Sequence, residues 1–179
     1  TKYLSKDAVY CNDRSLASGQ TYSTTNSFNY APYERIYTNK QPTYNCTNMS
    51  DAFSVNNTSA KLDYPIGLMS IDELSYAGGQ AFTKLTAPYA WYYTNANGES
   101  SYYSNAGFWA LSPSNWGDSN LRVWFAGGSG GPGYLSRDLV GISGGVRPSV
   151  SLSSCNLISR GDGSPENPYV VYTGSGVCE

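Results

Sequence analysis

At 179 residues the chain has room for one domain that buries roughly 70% of its unfolded surface, and nothing in its length calls for a second. Charged residues make up 13% of it and the net charge is −2, which excludes the basic footprint of a nucleic-acid binder and the acidic run of a solvating tail. No stretch approaches the roughly 20 apolar residues of a membrane span, and neither a signal-peptide pattern nor an initiating Met is present, so the chain reads as a piece of a longer protein with no membrane insertion of its own.

Its polarity comes from Ser, Thr, Asn and Gly, with 17 tyrosines, a mixture common in extracellular β-rich domains. The first sixty residues are short apolar fragments between polar turns, Asp7–Cys11 and Glu34–Tyr37 among them, with glycosylation sequons at Asn45, Asn48, Asn56 and Asn57. A strand is expected over Leu62–Met69. It leads into one clear helix: Ser70 is the N-cap and Glu73 its capping-box partner, Ile71, Leu74 and Ala77 share a face, and Gly78-Gly79 ends the turn. From Tyr89 the pattern is strands and loops. Trp91–Tyr93 precedes an Asn97-Gly98 turn, Gly107–Leu111 runs into Ser112-Pro113, and Leu121–Phe125 alternates. Val146, Val150 and Leu152 alternate before a terminal hairpin whose second arm is Tyr169–Tyr172. The order predicts an α+β domain, an antiparallel sheet with long loops and one or two short helices.

The four cysteines fall as Cys11, Cys46, Cys155 and Cys178, and the chain has no histidine. Zinc would need all four thiolates at spacings that do not suit it, so disulfides are expected. Of the three possible connectivities the sequential one is preferred, because a hairpin centred on Gly161–Pro168 brings Cys155 and Cys178 together, and disulfides imply an oxidising compartment.

Several stretches resemble a known group. They are Tyr64–Gly79, Trp109-x-x-Ser112-Pro113, Gly145-Val146-Arg147-Pro148 and Gly161–Ser164 with Asn167-Pro168-Tyr169, joined by Cys11–Ser15 and Tyr37–Lys40. Together they resemble surface domains common in gut Firmicutes, which are similar to the C-type-lectin-like fold shared by formylglycine-generating enzymes and by the variable proteins of diversity-generating retroelements. The resemblance implies a single C-type-lectin-like domain over 1–179 at a bacterial cell surface. In the retroelement proteins the diversified window would correspond to about Trp91–Leu139. These are scaffold motifs, which speak for a fold rather than an activity.

No catalysis is expected. Without histidine there is no His-based general base, Asp72 with Glu73 belongs to a helix start, and Asp162 with Glu166 to a turn. A formylglycine-generating enzyme would need a reactive cysteine pair in a cleft, whereas Cys155 and Cys178 flank the hairpin. A calcium-dependent lectin would carry its acid–amide triplets in orders that Pro165-Glu166-Asn167 and Asn115-Trp116-Gly117-Asp118 do not show; Asp118, Asn120 and Asp162 are the residues left for calcium, and as turn residues they need no metal. No cofactor is expected. Arg147, set beside Pro148, is expected to serve the scaffold.

The reading is therefore an extracellular domain that binds an unknown protein or glycan on another cell surface. The competing reading is a structural spacer, and a second alternative is a calcium-dependent carbohydrate-binding lectin. Gly117–Gly141 mixes aromatic, charged and amide residues with many glycines and reads as a loop held between strand anchors, so the expected contacts are Trp116, Asp118, Asn120, Arg122, Trp124, Tyr134, Arg137 and Asp138. Within Leu121–Phe125 the expectation is that Leu121, Val123 and Phe125 face the core while Arg122 and Trp124 face the ligand.

Overall fold

The computed structural model describes residues 2–86, 107–127, 130–164 and 167–174. The chain is an α+β domain. Short strands β1 (Tyr10–Cys11) and β2 (Phe28–Asn29) precede a helical turn α1 (Ala31–Tyr33), which runs directly into a π-helix over Glu34–Asn39. Strand β3 (Ala52–Phe53), helix α2 (Ile71–Tyr76) and strand β4 (Gln80–Ala81) follow. The long strands are β5 (Phe108–Gly117), β6 (Asn120–Ala126) and β7 (Tyr134–Leu139), and β8 (Ile158–Arg160) with β9 (Val170–Val171) close the described chain.

The main sheet has the order β2-β5-β6-β7-β4. Its pairs are antiparallel except for β4 with β7, which is parallel. Both edge strands are two residues long, which leaves little unpaired backbone for a stray strand to join. Between β5 and β6 the last pair is Gly117 with Asn120, so Asp118-Ser119 forms a two-residue hairpin loop. Both loop residues have positive φ, 51° and 59°, the sense that matches the twist of the strands and that Asp tolerates. Pro113 has no N–H to give the ladder, and the β5–β6 register shifts on either side of it.

Helix α2 starts as its sequence requires: Ser70 Oγ accepts the Glu73 N–H, and the Glu73 carboxylate accepts the Ser70 N–H at 2.7 Å. Ile71 and Leu74 are fully buried. They pack with Ile36 of the π-helix against Phe108, Ala110, Trp124, Ala126 and Leu135 of the sheet, which together form the core.

Several expectations are corrected. Gly117–Gly141 is not a loop: β6 and β7 occupy most of it, and its left-handed glycines, Gly127, Gly131 and Gly133, gather around the connection between those strands. The face of β6 is reversed. Trp124 is 0% exposed and points into the core, while Leu121, Val123 and Phe125 lie half-buried on the other side. The rule that the more apolar set faces inward assumes one wet face. Here the second face is also covered: Trp109 meets Phe125 edge-on at 5.0 Å, and a Cβ on Gly144 would come within 2.7 Å of the Trp109 indole nitrogen, so that loop can cross only as glycine. Leu62–Met69 forms no strand; Gly67 makes a single bridge to Ser149 and Lys61 one to Ser54. Val146, Val150 and Leu152 are likewise no strand and stand exposed, tied by bridges through Gly145, Ser149 and Leu152. Glu34–Tyr37, taken as an apolar fragment, is helical; Pro32 at the helix start was the available signal. The expected strand at Trp91–Tyr93 and the Asn97-Gly98 turn lie outside the described residues.

The Cys11–Cys46 disulfide is formed, as the sequential pairing requires. Cys155 is also disulfide-bonded, and Cys178 lies outside the described residues. The β8–β9 hairpin is present, turning through Asp162–Asn167 backbone bonds. Among the described residues no helix is long and apolar enough to cross a membrane.

Candidate functional site

The eight expected contact residues separate into three places. Trp116, Asp118, Asn120 and Arg122 stand together at the β5–β6 hairpin end. Trp116 pairs across the ladder with Leu121 on one side and Phe28 on the other. Asn120 donates to the Asp118 carbonyl at 2.7 Å, and Arg122 reaches the Asp118 carboxylate at 3.2 Å and the Gly117 carbonyl at 3.3 Å. With the Asp118 side chain 87% exposed, that ion pair contributes little to stability.

Trp124 and Arg137 belong to the core-facing side. The Arg137 guanidinium lies 4.9 Å from the Tyr33 ring centre and 5.6 Å from that of Phe82, and it donates to Asn115 Oδ1 at 2.9 Å. The Trp124 indole stacks on Tyr33 at 5.9 Å and lies 5.6 Å from Phe82. Arg137 is thus a half-buried cation laid over an aromatic floor. Tyr134 and Asp138 are a third case: Tyr134 begins β7 beside Gly130, while Asp138 pairs with Val123 and accepts the Leu139 N–H.

Sequence reasoning missed the aromatic neighbours of Trp116. Tyr22 and Phe28 join it, with Ser23 and Thr24, around an open hollow of about 500 Å³. Phe28 is buried and Tyr22 is 66% exposed, its hydroxyl donating to the Arg14 carbonyl at 2.9 Å so that the ring stands fixed edge-on to Phe28. A Cβ on Gly117 would lie 3.3 Å from Ser27 Oγ, which places the loop of residues 22–27 directly against the hairpin end. Tyr22 sits in a Ser/Thr-rich run with no period, and only its exposure marks it.

Asp13, Asp51, Asp72 and Asp162 are each held by hydrogen bonds within the fold. Arg35 forks onto Asp72 with two bonds of 2.9 Å, the Thr43 N–H adds a third at 3.0 Å, and Arg35 also reaches Asp13 at 2.6 Å. Burial pushes the Asp13 carboxyl up, but hydrogen bonds from Ser15 and the charge of Arg35 outweigh it and hold the group below its ordinary value. Burial likewise opposes the charge of Arg35, and its two aspartate partners more than reverse the effect. Buried Asp51 accepts from Arg14 Nε at 2.6 Å and from Asn48 at 3.2 Å. Asp162 accepts the Ser164 N–H at 2.9 Å, which lowers its pKa in its own exposed turn. Among the described residues no group of three or more His, Cys, Asp or Glu side chains gathers to hold a metal. Arg147 stacks on the Phe108 ring at 4.1 Å, a scaffold contact. Comparison with protein-family models, with curated proteins and with solved structures finds no match.

Proposed function

We propose that this is an extracellular ligand-binding domain whose contact surface is the β5–β6 hairpin end together with the loop of residues 22–27. One observation carries the reading: the rings of Trp116, Tyr22 and Phe28 converge on an open hollow beside the exposed polar groups of Asp118 and Asn120. Tyr, Trp and Arg are the side chains that dominate binding hot spots, and here an exposed Tyr22 and a half-buried Trp116 stand at the hollow over the buried Phe28. The α+β sheet with long connections is compatible with the C-type-lectin-like fold that the sequence resembles, and the Cys11–Cys46 bond supports a place outside the cytosol. Diversification of this surface by a retroelement is a further part of the proposal, tested by a reverse-transcriptase gene and a near-repeat of the coding segment beside the gene.

The ligand is a protein or glycan on another cell surface. A spacer domain is the second reading, and the full burial of Trp124 favours it, because that ring serves the core and adds nothing to an exposed face. The test applies labelled domain to bacterial and host cells and to a glycan array, beside a Trp116→Ala/Tyr22→Ala variant. Binding by the parent that falls about tenfold or more in the variant, with the melting temperature retained, supports the proposal. A parent that binds none of these targets supports the spacer.

A further inference from the structure

At the opposite edge of the sheet from the hollow, a second cleft of about 330 Å³ opens between the π-helix and β4. Ile36, Tyr37 and Lys40 line one wall, and Gln80, Phe82 and Thr83 contribute to the rest. Two irregularities meet there, the π-helix with its left-handed end and a left-handed Phe82. The π-helix is a rare form that recurs at functional sites, and it carries Tyr37, 47% exposed. Lys40, which ends that helix, has φ 53°, and Phe82 has φ 52°. A bulky aromatic residue in the left-handed region is strained and persists only where its surroundings hold it. Phe82 is held by its N–H bond to the Leu135 carbonyl at 2.8 Å and by ring contacts to Tyr37 at 5.1 Å and Trp124 at 5.6 Å. That conformation keeps the Phe82 ring over the core-side aromatic floor and part of the cleft wall.

The cleft's chemistry is one-sided. Lys40 is its single charged lining residue, and among the described residues it meets no carboxylate. Tyr37 and Phe82 offer apolar ring surface, and Gln80 and Thr83 bring side chains able to donate hydrogen bonds. Behind Phe82 the fully buried Trp124 indole N–H finds no acceptor among the described residues.

We propose that this cleft is a binding site for a small organic anion with a flat apolar body, of which an aromatic carboxylate is the simplest case. The ring lies against Tyr37 and Phe82 and the carboxylate meets the Lys40 ammonium. A cleft of this size matches the smaller end of small-molecule sites, and a flat apolar body with one charge is what its lining complements. The proposal stands apart from the cell-surface reading, since it shares no residue with the hollow.

The test compares indole-3-acetate with its neutral isostere indole-3-acetamide, each titrated into the intact domain by calorimetry and by amide NMR shifts. The acetate should bind, moving the signals of Tyr37, Lys40 and Phe82, and the amide should bind about tenfold more weakly. Lys40→Asn removes the charge while keeping a residue that accepts positive φ, and it should bring the two affinities together. Equal binding of the two probes to the parent, binding without shifts at those three residues, or no binding of the acetate at about 10 mM overturns the proposal, and all three outcomes are read on the parent without need of a folded variant.

Discussion

Trp116 and Trp124 are eight positions apart in one hairpin and face opposite demands. Trp124 is fully buried among Tyr33, Phe82 and the small Ala126, so Trp124→Ala leaves a large void and should cost about 3–5 kcal/mol, read as a lowered urea midpoint. Trp116→Ala removes a half-buried ring at the rim and should cost much less, so the pair separates the core from the proposed contact surface by stability. Asp13 supplies a pH dependence. Its carboxyl sits below the ordinary value of 3.8 in the folded chain, so the unfolded chain takes up the proton first. The stability it contributes is therefore present above about pH 4 and is lost as the pH falls through its folded value. Asp13→Asn should lower the melting temperature at pH 7 and reduce its fall between about pH 5 and 2, because the titrating group is gone. An unchanged slope would mean that other carboxylates carry the acid loss.

At the scale of elements, α2 is the piece whose local chemistry and tertiary role agree. Ser70→Ala removes the acceptor for the Glu73 N–H and the hydroxyl that donates to the Glu73 carboxylate, while the backbone N–H at position 70 keeps its bond to that carboxylate, so about 1 kcal/mol of stability should be lost in denaturant unfolding. Because Ile71 and Leu74 carry the helix into the core, the loss should appear as a lower midpoint with an unchanged slope. The capping box, the glycine stop and the terminal hairpin were legible in the sequence since each is settled within a few residues. The β6 face was not, because alternation tells which side chains share a face and leaves open which face is covered more deeply. The π-helix was illegible for a similar reason: Glu34–Asn39 carries no pattern of its own, and Arg35 is held there by Asp13 and Asp72 from elsewhere in the chain.

For the whole molecule the Cys11–Cys46 bond is a covalent constraint between distant segments. It closes a loop of 35 residues and ties the N-terminal strands to the coil that covers Asp72. In the chain-entropy account such a loop contributes about 3–4 kcal/mol. Paired Cys11→Ser/Cys46→Ser substitution should lower the melting temperature by several degrees while leaving the β5–β6–β7 sheet intact by circular dichroism. Loss of the whole sheet signal at room temperature would show that the bond is a condition of folding.

Composition alone excluded a nucleic-acid footprint, because that needs a density of positive charge the chain does not have, and the absence of metal partners made the cysteines read as bridges. Turn and cap residues told where α2 and the last hairpin lie, since those signals act between near neighbours. The candidate site was a different matter. Tyr22, Phe28 and Trp116 become one hollow only because β2 pairs with β5, and Tyr37, Lys40 and Phe82 share a cleft only because β4 adds to β7 in parallel. Those pairings join segments more than fifty residues apart, and the energy that selects them lies in the burial of Trp124 and its neighbours, a property of the packed whole that no local pattern encodes.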